Sequence, residues 1–227
     1  MNSGQAAVEP RLTPKGRATR ERILATAADL ILQHGVTGTG IDDVRAAAGV
    51  SGSQMTHYFR DKQHLVKEVI AWQAQSVLTE HRAPQLGELD TFAALRLWAD
   101  LHVQRQVERD CQGGCSFGSL AGQLVESNPE TRTDLAGGFT EWLELFRHGF
   151  ALMRDRGDLL PAADPAALAA ALLAAMQGGM LLTQTLRDTA PLRASLDAVL
   201  TYIGTFAADP ASAAKALRLP LPGAQPG

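Results

Sequence analysis

Between Thr39 and Phe59 the chain reads TGIDDVRAAAGVSGSQMTHYF, and no other stretch restricts the fold as tightly. Thr39 and Asp42 stand at capping-box spacing, and Asp42 and Asp43 put negative charge where a helix dipole favours it, so a helix is expected from Gly40. Ile41, Val44 and Ala48 then share one face, which must be buried. Gly49 ends the helix, since glycine takes the left-handed conformation without steric cost. A second helix begins at Ser51, again with a capping-box partner, Gln54, three residues on. Met55 and Phe59 form its inner face. Gly52, Ser53, Gln54, Thr56 and His57 face outward, and such small, hydrogen-bonding side chains let a helix approach base edges in a major groove.

The flanks extend this unit. Residues 20 to 33 place Ile23, Ala27, Leu30 and Ile31 on one stripe of a helix ending near Gly35, and Asp61 caps a further helix opened by Lys62. The string TRERILATAADLILQHGVTGTGIDDVRAAAGVSGSQMTHYFRDKQHL resembles the DNA-binding domain of the TetR (tetracycline-repressor) family of bacterial regulators. The resemblance implies double-stranded operator DNA as partner, with Arg17, Arg20, Arg22, Thr39, Ser51, Gly52, Ser53, Gln54, Thr56, His57, Tyr58 and Lys62 as candidate contacts. Gln54 fits two roles, capping Ser51 or reading an adenine, and base or base-proximal contact is the one expected. Lys62, at a helix N-terminus, is the best phosphate candidate. Two positions depart from the family pattern: Thr56 stands where an aromatic, usually tyrosine, is common, and Gly52 where many members carry lysine or arginine. Both departures reduce the expected phosphate contacts.

Charge distribution agrees with this placement. The whole chain carries a formal net charge of -3. Residues 11 to 64 carry eight basic and five acidic side chains, a net of +3, with Arg11, Lys15, Arg17, Arg20 and Arg22 most closely spaced. A basic arm of this kind reaches phosphates or the minor groove, or else serves as a solubilising tail.

Beyond residue 70 helix signals recur without convincing strands. Helices are expected over residues 92–107 and 117–125, from Pro129 (capped by Asn128) to Gly157, from Pro165 (capped by Asp164) to Arg187, and from Pro191 to Phe206. The reading is therefore all-α: an N-terminal three-helix helix-turn-helix domain followed by a larger helical ligand-binding and dimerisation bundle. Residues 1–16 are assigned as a flexible basic arm, 17–64 as the DNA-binding domain, 65–208 as the bundle and 209–227 as a loose tail. This order, with the segment GGCSFGSLAGQL, again resembles TetR regulators, in which the last two long helices pair with those of a second copy. The DPAALAAALLAAMQGGMLL helix, with Gly178 and Gly179, suits such a twofold interface, intrachain packing being the alternative.

Trp98, His102, Phe117, Leu120, Trp142, Phe146, Phe150, Met176 and Met180 are candidate pocket residues for a small apolar or amphipathic ligand, each with core packing as the competing role. Cys111 and Cys115 do not make a metal site with six scattered histidines, and neither metal nor cofactor is expected. Cys115, at a helix start that would lower its pKa, is the candidate for a thiol or electrophile sensor. An enzyme using Cys115 with His102 as base lacks a supporting acid at recognisable spacing. No signal peptide is read at the N-terminus, and residues 166–182 are too short and alanine-rich for a bilayer span, so a cytoplasmic location is expected. The resulting expectation is a ligand-responsive homodimeric repressor, with a thiol sensor or an interaction protein that no longer binds DNA as alternatives.

Overall fold

The computed structural model describes residues 12–127 and 129–217. Among them are ten helices: α1 (Pro14–Gly38), α2 (Ile41–Ala47), α3 (Gly52–Tyr58), α4 (Lys62–His81), α5 (Phe92–Glu108), α6 (Ser116–Leu124), α7 (Pro129–Arg156), α8 (Pro165–Leu186), α9 (Ala190–Gly204) and α10 (Pro210–Leu217). Contacts divide the chain into two compact units, one up to Val69 and one from Ile70. The division therefore falls inside α4, five residues beyond the boundary expected at 64, because one uninterrupted helix runs through that boundary.

In the first unit α1 to α3 bury Ile23, Leu24, Ala27, Ile31, Val44, Met55 and Phe59, with Leu65 and Val69 from the first half of α4. Two boundaries differ from expectation. The N-terminal helix starts at Pro14, where Thr13 accepts a bond from the Gly16 amide, so residues 14–16 are helix and not flexible arm. Its regular run ends at Gly35 (φ 75°, ψ 165°), as expected, and a short helical segment follows to Gly38. The cap of α2 is shifted by one residue: the Gly40 amide donates to Asp43 Oδ2 at 2.9 Å, while the Thr39 hydroxyl donates to Gly35 C=O. The turn into α3 depends on Gly49 at φ 62°, a conformation that strains any residue bearing a Cβ.

In the second unit a continuous core gathers Leu78, Leu95, Trp98, Val103, Trp142, Phe146, Phe150, Met153, Leu168, Leu172, Met176, Leu196 and Ile203. Helix α8 is long and apolar enough to cross a membrane. Its buried face instead meets α7 and α9. Gly179 makes the α8/α9 contact possible: a Cβ there would lie 2.9 Å from the Leu192 Cα, which is backbone and cannot yield. Gly178 has nothing near it. Of the two glycines assigned to an intermolecular face, Gly179 thus serves the chain's own packing.

Residues 210–217 form helix α10 with Ala213 buried, so this part of the expected loose tail is ordered. The expectations for Arg11, for the Asn128 cap, and for the remainder of the arm and tail lie outside the described residues.

Candidate functional site

The outer surface of α3 follows from its capping. Ser51 Oγ accepts from the Gln54 amide at 3.1 Å and Gln54 Oε1 accepts from the Ser51 amide at 2.9 Å, closing a full capping box. Met55 on α3 and Phe59 just after it are buried, while Ser51, Gly52, Ser53, Gln54, Thr56 and His57 are exposed together. Tyr58 is half-buried, with its hydroxyl beside Gly16. Thr56 turns its hydroxyl back to Gly52 C=O at 3.1 Å, so its proton is already engaged.

The basic residues separate into two groups. Arg20 is drawn into the domain, ion-paired with Glu68 and with its guanidinium 5.9 Å from the Phe59 ring centroid. Arg22 Nε donates to Ala48 C=O at 3.1 Å, tying α1 to the end of α2. Thr39 is buried. Arg20, paired with Glu68, and Thr39, buried and bonded to Gly35 C=O, thus have intramolecular partners where DNA contact was expected. Arg17 is exposed and its guanidinium donates to the nearby Leu12 C=O, and Lys62 is half-buried with a long 3.5 Å bond to Thr37 C=O.

In the second unit an aromatic cluster forms around a residue that the sequence pattern did not single out. His81, near the end of α4, lies with its ring centroid 4.9 Å from Trp142, 5.4 Å from His102, 5.6 Å from Phe146 and 5.9 Å from Trp98. Its Nδ1 bonds Val77 C=O at 2.8 Å, and Trp142 Nε1 donates to its Nε2 at 3.1 Å. Burial lowers the His81 pKa to about 4 and, with His81 beside it, lowers that of His102 to about 3. Both rings are neutral at pH 7. A polar residue on an apolar face was the signal for His102; His81, at a helix end among charged neighbours, offered none.

A cavity of about 70 Å³ lies beside this cluster, lined by Gln73, Ser76, Val77, Glu80, His81, His102, Arg105, Gln106, Arg109, Gly114, Cys115, Ser116, Trp142, Met176 and Met180. Of the nine expected pocket residues, His102, Trp142, Met176 and Met180 border it. Trp98, Phe117, Leu120, Phe146 and Phe150 do not; each is buried in packing, with Trp98 and Phe146 edge to face at 5.2 Å. The wall is more polar than an apolar stripe suggested, because Gln73, Glu80, Arg105 and Gln106 contribute to it. His81 also borders a wider cleft of about 450 Å³ carrying Arg82, Glu88, Glu141, Glu144 and His148.

Cys115 caps α6 through its sulfur, which accepts from the Gly118 amide and from Gln177 Nε2, both at 3.3 Å. Burial raises its pKa despite these bonds, opposite to the lowering expected of a thiol at a helix start. Cys111 and Cys115 are both free thiols. Among the described residues no group of three or more His, Cys, Asp and Glu gathers as a metal site.

A helix-turn-helix unit with a small, polar, exposed recognition surface, followed by a helical bundle enclosing a cavity, is the architecture of a DNA-binding transcriptional regulator. Residues 23–69 match the family of bacterial regulatory proteins of the tetR type, and residues 92–199 match the tetracyclin repressor-like C-terminal domain. The chain belongs to the TetR family of transcriptional regulators. It is 25% identical over 177 residues to the transcriptional regulator AcuR of Cereibacter sphaeroides, covering 76% of this chain and 79% of that one. It is 26% identical over 192 residues to the transcriptional repressor NemR of Escherichia coli K12, covering 82% and 94%. A TetR regulator from Chloroflexus aurantiacus matches with a TM-score of 0.72 at 29% identity, covering 86% of this chain and 98% of that one. The reduced form of E. coli NemR shares the fold, with a TM-score of 0.73 at 21% identity over 84% and 98% of the two chains.

Proposed function

We propose that this protein is a homodimeric, cytoplasmic repressor that binds a palindromic operator through α3 and releases it when a small amphipathic molecule occupies the cavity beside His102 and Trp142. The observation that carries the DNA half is the exposed Ser51–His57 surface over a buried Met55 and Phe59. Phosphate contact comes from Arg17 and Lys62, with Ser51, Ser53 and the α3 N-terminus adding hydrogen bonds. Repression is supported by NemR, which is named a repressor.

Two copies are required because one seven-residue helix reads only a half-site, and successive major grooves on one face of DNA lie about 34 Å apart. The outer face of α8 supports self-association: Ala167, Ala170, Ala174, Gly178, Leu181, Leu182 and Leu186 are exposed at spacings of three and four. Leu181, Leu182 and Leu186 are 63%, 51% and 62% exposed, an apolar patch that a second copy would cover. A ligand lowers operator affinity only by its differential affinity for the two states, and DNA weakens the ligand reciprocally.

The test is fluorescence anisotropy of labelled operator fragments over a salt series. Binding is expected to weaken steeply with salt, and Lys62→Ala to weaken operator and random DNA alike while flattening the slope by about one unit. Salt-independent binding, or no fragment bound, refutes the reading.

A further inference from the structure

Gln106 on α5 is 0% exposed, and neither its Oε1 nor its Nε2 has a hydrogen-bond partner. Buried side-chain amides are nearly always satisfied, so an unmatched one that borders a cavity marks a place where something else supplies the partners. Several other polar groups of that wall are already engaged. Gln73 Oε1 accepts from Ser116 Oγ at 2.8 Å, His102 Nδ1 bonds Trp98 C=O at 2.9 Å, and Arg105 pairs with Glu80. The cavity of about 70 Å³ has room for about two waters at roughly 30 Å³ each, which is also the scale of one planar head group.

We propose that Gln106 is the specificity residue of the cavity and pairs with a carboxamide or an undissociated carboxyl group. This rests on the cavity being the ligand site. An amide side chain sets one donor beside one acceptor on a planar carbon, and its complement must carry an acceptor beside a donor. A primary amide supplies a C=O for Nε2 and an N–H for Oε1. A ketone satisfies Nε2 alone. A carboxylate opposes lone pairs to Oε1 and loses its hydration on entering the cavity; of the two guanidinium groups in the lining Arg105 is already paired with Glu80 and Arg109 is exposed to solvent, so neither is a buried counter-ion for it. The site therefore rejects analogues by leaving one of its own groups unpaired, the mechanism that separates near-isosteres most strongly.

The probes are acetamide, acetone and acetate, each with four non-hydrogen atoms, added to the DNA-free full-length protein. The readout is the side-chain amide resonances of Gln106 in nitrogen-15 correlation spectra, assigned by their loss in Gln106→Leu. Acetamide is expected to shift them saturably, with acetone at least 10-fold weaker and acetate without effect. In Gln106→Leu, followed by tryptophan emission, acetone is expected to bind at least as well as acetamide. Gln106→Met, of similar length and without the amide, serves the same purpose should Gln106→Leu fail to fold. Equal binding of acetone and acetamide to the unchanged protein, unchanged discrimination in either variant, or no binding by any probe overturns the proposal, the last because water alone would then fill the cavity. Operator release is measured separately by anisotropy: amide discrimination without release sustains this inference and sinks the cavity as control site, whereas release by ligands indifferent to Gln106 does the reverse.

Discussion

Trp142 Nε1 donates to His81 Nε2 at 3.1 Å, and that bond requires an unprotonated nitrogen at the receiving end. With Nδ1 spending its proton on Val77 C=O, His81 is held in one neutral tautomer. His102, 5.4 Å away, is held by Trp98 C=O in the same manner. Protonating either ring would bury a cation among aromatic side chains.

Stability is therefore expected to fall with acid. Both folded-state values, about 4 for His81 and about 3 for His102, lie below the ordinary 6.5, so the unfolded chain binds more protons between those limits. The contribution is complete above pH 6.5 and is lost as pH falls toward 4, on the order of 2 kcal/mol per histidine between pH 7 and 5. Urea denaturation of the unchanged protein and of His102→Leu at the two pH values checks this. The variant should lose about half of the pH-dependent difference, and equal slopes would show that other groups dominate.

The Gln54 carbonyl accepts from the Ser51 amide in the capping box, which restrains a side chain that would otherwise be free to read adenine. Gln54→Ala is expected to lower stability by about 0.5 kcal/mol and Ser51→Ala by about 1 kcal/mol, with sequence preference in Gln54→Ala changed less than twofold. Thermal melts and competitive binding to single-base operator variants test the pair. A marked loss of preference without earlier melting would mean that Gln54 leaves the cap to read a base.

The helix-turn-helix was legible because its signals are local: the Ser51–Gln54 spacing, the Gly49 stop and the Met55/Phe59 stripe all act within a few residues. The roles of Arg20 and Thr39 were not, since pairing with Glu68 and bonding to Gly35 depend on how α1 turns toward its neighbours. The cavity was half legible for the same reason. His102, Trp142, Met176 and Met180 stand on apolar faces of α5, α7 and α8, but Gln73 and His81 on α4 join Gln106 on α5 in one cavity wall only once those helices pack. Spacing also could not separate pocket from core for Trp98, Phe117, Leu120, Phe146 and Phe150, because both uses demand the same apolar stripe.

Cys115→Ser is expected to leave operator binding and response to a reversible ligand unchanged. The sulfur is a buried cap acceptor with a raised pKa, and a serine hydroxyl can accept from Gly118 in its place. Thiol-reactive reagents should label the folded protein more slowly than unfolded protein at pH 7.5, since the thiolate is the nucleophile. Loss of peroxide- or electrophile-driven operator release in Cys115→Ser alone would instead make this thiol the sensor.

Two adjacent glycines separate the packing of one chain from the pairing of two. At Gly179 a Cβ would lie 2.9 Å from the Leu192 Cα, so Gly179→Ala must push α9 away from α8 and is expected to cost roughly 1–3 kcal/mol. Gly178 faces open space in the single chain, and alanine there should favour the isolated helix by about 1 kcal/mol. If α8 meets its twofold mate at close range, that same methyl intrudes, and Gly178→Ala weakens the dimer while the chain itself becomes no less stable. Leu182→Arg, on the same exposed face, should shift the protein toward monomer and weaken operator binding at least 10-fold, because a single half-site remains, while helical circular dichroism is retained. Sedimentation equilibrium together with operator anisotropy measures both quantities. A protein that stays dimeric with Leu182→Arg and Gly178→Ala combined would move the interface off this face of α8, leaving Leu181, Leu182 and Leu186 to another role.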